Sequence, residues 1–120
     1  MIGNALVALV ALEHLWFLVL EMFLWQKPIG LKTFRQTPER AAVTAPLAAN
    51  QGLYNGFLAA GLVWSLVAAP PELALSLKVF FLSCVIAAGA FGAFSVSPRI
   101  LFVQAGPALL ALLSVLYSRS

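Results

Sequence analysis

Charge is what this sequence has least of. Only 9% of its 120 residues are charged, against 62% hydrophobic, and the mean hydropathy is +1.00. A soluble domain carries roughly a quarter charged residues, so this balance excludes an ordinary soluble fold and points to a bilayer as solvent. Cysteine is nearly absent too: Cys84 stands alone, which rules out an intrachain disulfide and reads as a packed thiol in an apolar run. With His14 as the single histidine, a haem held by two histidines would need a second subunit. Phosphate-binding loop, dinucleotide fingerprint and nucleophile elbow are all missing. No interleaving of aromatic and basic residues suggests nucleic acid as a partner. The formal net charge of +3 is concentrated in one loop and suits the anionic cytoplasmic face of a membrane. The first apolar run follows no basic n-region and contains no small-residue cleavage pattern, so it reads as a retained helix.

What the chain does have is long apolar runs. A helix rising about 1.5 Å per residue needs roughly 20 apolar residues to cross about 30 Å of hydrocarbon. The expected fold is therefore all-α: one membrane domain over residues 1–120, an antiparallel bundle of four transmembrane helices at about 2–25, 46–69, 71–94 and 98–117. Trp25 and Lys27 suit the interface at the end of the first span. Pro46 is expected in the first turn of the second, where its missing N–H costs nothing; Pro70-Pro71 closes that span, and Pro71-Glu72 opens the third. Ser97-Pro98 reads as cap and start of the fourth, and the Ser95-Val96-Ser97 link allows only an antiparallel hairpin. Pro107 is expected to kink that last helix. Gly52, Gly56 and Ala60, and Ala88 with Gly92 on the third span, have the small-xxx-small spacing that lets helices approach closely in lipid.

Segment 26–45 is the one long connection, and Thr37-Pro38-Glu39 reads there as the cap of a short interfacial helix. It carries Lys27, Lys32, Arg35 and Arg40, and an even number of spans puts Arg99 on the same side, against Lys78 and Arg119 on the other. The positive-inside rule makes the loop cytoplasmic in a bacterial inner membrane, with both termini periplasmic or extracellular. Lys78 is expected to snorkel toward the far surface.

Against this apolar background, Glu13, His14 and Glu21 in the first span stand out. A charged side chain near a helix centre costs on the order of 3 kcal/mol even on the lenient insertion scale, so such groups should face protein or water. His14 and Glu21 are two turns apart and share a face. The second span adds Asn50, Gln51 and Asn55, of which Gln51 and Asn55 share a face beside the glycine strip. Setting Trp25 level with Pro46 places Glu21 opposite Asn50, His14 opposite Phe57, and Gln104 at the depth of Glu21. The expectation is a polar intramembrane site of Glu13, His14, Glu21, Asn50, Gln51, Asn55 and Gln104, opening toward the basic loop. The plainer reading is that the amides glue helices together, while Trp16, Trp25 and Trp64 pack or form an interface belt. His14 and Glu21 could also ligate a metal, although neither His-x3-His nor Glu-x-x-His spacing is present; no cofactor follows from the residues.

The stretches Ala11-Leu12-Glu13-His14, Leu20-Glu21-Met22-Phe23-Leu24-Trp25 and Ala48-Ala49-Asn50-Gln51-Gly52-Leu53-Tyr54-Asn55-Gly56-Phe57 resemble the small bacterial membrane proteins grouped as domain of unknown function 1304. The likeness extends over nearly the whole length and is specific in the first half. It implies a four-helix integral membrane protein with these motifs as the functional core, and no activity. A looser similarity, in length, span number and the position of Glu13, is to the small multidrug resistance exporters, whose surrounding motifs are absent here.

Three function classes fit these residues. One is a proton-coupled transporter of a polar small molecule or ion in which Glu13 or Glu21 exchanges a proton. Another is a membrane enzyme or binding protein for a lipid-like or quinone-like ligand, with His14 and Glu21 as an acid–base pair. The last is an accessory subunit of a larger membrane complex. Transport would call for a homo-oligomer with the glycine faces at the seam, since one small bundle encloses little space.

Overall fold

A computed structural model of the chain describes residues 2–95, 99 and 101–119. All regular structure among them is helical: α1 (Ile2–Met22), α2 (Pro28–Phe34), α3 (Pro38–Val67), α4 (Pro71–Ser95), a π-helical turn (Leu101–Ala105) and α5 (Gly106–Ser118). Among the described residues, two helices are long and apolar enough to cross a membrane: Ile2–Met22 with mean hydropathy 1.9 and Pro71–Phe94 with 2.1. Only 28% and 22% of their apolar windows are buried within the chain. The core helix of a soluble protein would be mostly covered, so these helices keep apolar surface that the chain itself does not hide.

The helix ends follow from local chemistry, and several differ from what the sequence suggested. Pro46 lies inside α3, eight residues after its start, rather than opening it. The carbonyl that loses its donor there belongs to Ala42, an exposed residue. The true start is the Thr37 cap, whose Oγ1 accepts the Arg40 N–H at 3.2 Å. The cap expected to begin a short interfacial helix thus begins a helix of 30 residues, roughly 45 Å long. The short helix in this stretch is α2, which Pro28 opens at a first-turn position and Arg35 closes in the left-handed conformation at φ 53. Pro107 does not kink an α-helix. The π turn precedes it, and Pro107 falls within the first two positions of α5, where no backbone donor is needed. The expected Ser97-Pro98 start of the last helix lies outside the described residues.

Two compact units emerge, Met1–Ala11 with Leu58–Ser120, and Leu12–Phe57. In the first, four helical segments share a core of Val7, Val10, Leu62, Leu82, Val85, Ala108, Ala111 and Val115. Small residues set the spacing: a Cβ on Gly89 would sit 2.8 Å from the Ala105 Cβ, and one on Gly3 would sit 3.2 Å from Val115 Cγ2. Gly89, between the Ala88 and Gly92 singled out by spacing, is thus the residue α4 uses against the π turn. Lys78 does not snorkel. It is 4% exposed, and its Nζ donates to Asn4 Oδ1 at 2.6 Å, because the amide gives the ammonium a partner inside the unit.

The second unit pairs α1 with the first part of α3, antiparallel, around Gly52 and Gly56. A Cβ on Gly52 would lie 2.7 Å from Met22 Cγ and 3.1 Å from Glu21 Cβ, and one on Gly56 would lie 2.7 Å from Leu18 Cδ1. This glycine face packs against α1 within the chain. At the end of α1, Trp25 donates from Nε1 to Thr44 Oγ1 at 3.1 Å and packs on Phe34 with ring centroids 4.7 Å apart. Gly30 lets α2 close over the Leu24 and Trp25 carbonyls; a side chain there would collide with backbone oxygen.

Candidate functional site

Glu21 sits one residue before the end of α1, on the face that meets α3. Its Oε1 accepts a hydrogen bond from Asn55 Nδ2 at 2.5 Å. Helical side chains lean toward their own N-termini. In an antiparallel pair this tilts Glu21 back along α1 and Asn55 toward the start of α3, so the two meet although the Glu21 backbone is level with Gly52. The expected partner, Asn50, is exposed. Levelling the helices by Trp25 and Pro46 misplaced the pair because residues 23–27 leave the helix and Pro46 is no helix start.

His14 is fully buried, with its ring edge-on to Phe17 at a centroid distance of 5.2 Å. Its neighbour Glu13 is half-buried, and Glu13 Oε1 is shut off from solvent with no hydrogen-bond partner. A buried carboxylate oxygen without a donor is costly, and a proton, a cation or a ligand N–H satisfies it.

Of the seven residues read as one site, Glu13, His14, Glu21 and Asn55 are at least half-buried in the second unit. Asn50 and Gln51 are exposed there, so the amide strip divides, with Asn55 alone turned inward to the carboxylate. Gln104 belongs to the π turn of the first unit and is half-buried. Among the described residues no three His, Cys, Asp or Glu side chains gather in a group that could hold a metal ion. Sequence reasoning missed the Lys78–Asn4 pair; its signal was a lysine in the middle of an apolar run with an amide near the start of another.

Beside Glu21 opens a cavity of about 330 Å³ lined by Glu21, Met22, Phe23, Trp25, Gln26, Lys27 and Ala45. It combines a carboxylate, an ammonium and an amide with four apolar side chains.

Comparison with known proteins places these residues in a family described as "Protein of unknown function (DUF1304)", which matches residues 8–116. The chain belongs to that family. The DUF1304 match contains every residue of the candidate site, from Glu13 to Gln104. Over 109 residues the chain is 30% identical to "Uncharacterized protein YpaA" of Lactococcus lactis subsp. lactis (strain IL1403), covering 88% of this chain and 89% of that protein. No solved structure matches this DUF1304 chain.

Proposed function

We propose that this DUF1304 protein is a four-span inner-membrane protein that moves a polar small molecule or ion in exchange for protons, using Glu13 and Glu21 on α1. The spans are α1, α3, α4, and the π turn continued by α5. The basic segment around α2 faces the cytoplasm and both termini face outward, in keeping with the distribution of Lys and Arg. The observation that carries the reading is Glu13 Oε1, buried in an apolar helix with no hydrogen-bond partner. A group so placed needs a changing partner more than a fixed one, and a proton exchanged for substrate supplies it. Glu21, tied to Asn55, holds the ligand-facing end of the same helix.

The test uses purified protein in proteoliposomes loaded with a pH-sensitive dye and challenged in turn with amines, amino acids, amino phosphates and inorganic cations. Transport coupled to protons appears as a solute-dependent change in internal pH that Glu13→Gln abolishes. Flux that survives Glu13→Gln unchanged, or no flux with any of these solutes, rejects the reading.

A further inference from the structure

We propose that the cavity at the end of α1 binds a zwitterionic aminophosphate, with its primary ammonium on Glu21 and its phosphate on Lys27. The inference rests on the reading of Glu21 as a ligand-facing group, not on transport itself.

The cavity joins opposite charges within six residues, and neither charge is consumed by the other. Asn55 engages only Oε1 of Glu21, and no further hydrogen bond to this carboxylate is present among the described residues, which leaves Oε2 for a ligand. The Lys27 side chain is exposed and its ammonium has no partner among the described residues. A lone cation would satisfy Glu21 and leave it beside the lysine; a lone anion would do the reverse. A ligand carrying both charges neutralises both walls at once. Gln26 adds an amide at the rim, while Met22, Phe23, Trp25 and Ala45 offer apolar wall. The volume, about 330 Å³, falls in the range of small-ligand pockets.

The rim is tied at two points. The Trp25 side chain is held by Thr44 and Phe34, and the Lys27 N–H donates to the Leu24 carbonyl at 3.0 Å. The cavity lies where an apolar helix ends in Trp and Lys, the composition of a bilayer interface. Two sources of the same chemistry reach such a place: free phosphoethanolamine and the headgroup of phosphatidylethanolamine. A primary ammonium donates hydrogen bonds to Glu21, which a quaternary one cannot.

The test is isothermal titration of the full-length detergent-purified protein with phosphoethanolamine, ethanolamine, inorganic phosphate and phosphocholine. Native mass spectrometry of protein released from nanodiscs of phosphatidylethanolamine or phosphatidylcholine runs in parallel. The expected result is that phosphoethanolamine binds at least about tenfold more tightly than ethanolamine, phosphate or phosphocholine, the scale of one charged hydrogen bond. Lys27→Gln and Glu21→Gln each remove that preference. Retention of phosphatidylethanolamine but not phosphatidylcholine, without binding of the free headgroup, assigns the site to the lipid. Equal binding of ethanolamine, indifference to Lys27→Gln, or no binding from either source overturns the proposal. Lys27 is exposed, so its substitution leaves folding intact even where Glu21→Gln does not. Selective binding without proton flux would remove the transport reading and leave this site standing; flux without binding would do the opposite.

Discussion

The Trp25 indole and the Thr44 hydroxyl, nineteen positions apart, are joined by a 3.1 Å hydrogen bond, and the same hydroxyl donates to the Arg40 carbonyl at 2.9 Å. One side chain thus ties the exit of α1 to the first turns of α3 and fixes one wall of the cavity beside Glu21. Trp25→Phe keeps an aromatic ring against Phe34 and removes the bond. The expected loss is about 0.5–1.5 kcal/mol of stability, with weaker ligand retention. Thermal unfolding in detergent checks the first, and titration checks the second. An unchanged unfolding midpoint for Trp25→Phe would mean the bond contributes nothing.

Asn55→Leu leaves Glu21 Oε1 without its donor. Within a membrane such bonds contribute about 0.6 kcal/mol on average and up to about 1.7. The coupling between Asn55→Leu and Glu21→Leu in a double-mutant cycle should fall in that range and be favourable. A coupling of zero would show that the contact carries no energy.

The glycines rank by what an added methyl would strike. Gly30→Ala should be the worst, since the methyl meets the carbonyls of Leu24 and Trp25, which cannot move without unmaking the 23–27 turn. Gly52→Ala should cost about 1–3 kcal/mol, with Met22, Glu21 and the Leu18 carbonyl all inside contact distance. Gly56→Ala meets mainly the flexible end of Leu18 and should cost less, while Gly106→Ala meets nothing within 4 Å and should be neutral. Unfolding midpoints in one detergent give the order directly.

The Lys78–Asn4 pair predicts an asymmetry. Asn4→Leu strands a buried ammonium and should destabilise by about 1–3 kcal/mol, whereas Lys78→Met removes the charge with its need for a partner and should cost little or stabilise. Comparable losses from the two variants would argue against burial of the lysine.

How far the sequence alone reached depended on which signal carried each feature. Long apolar runs gave the existence and type of α1, α4 and the last helix, because apolar length is a summed property that single residues do not upset. Pro46 misled because a proline marks a helix start only when the preceding turns cannot be helical, and here Thr37 caps a turn further upstream. Glu21 was recognisable as a polar group needing shelter, but its partner was not. Asn50 and Asn55 are chemically identical, and only the tilt of side chains on antiparallel helices selects the second. The π turn leaves no mark in hydropathy, since its five residues Leu-Phe-Val-Gln-Ala would read as well in an α-helix.

That turn also decides which shortenings the last segment tolerates. A π turn is an α turn holding one surplus residue. Removing a single amino acid between Leu101 and Ala105 would absorb the surplus and leave Ala108, Ala111 and Val115 aimed where they are. The same deletion after Gly106 would swing those three by about 100° and expose the side of α5 that the first unit depends on.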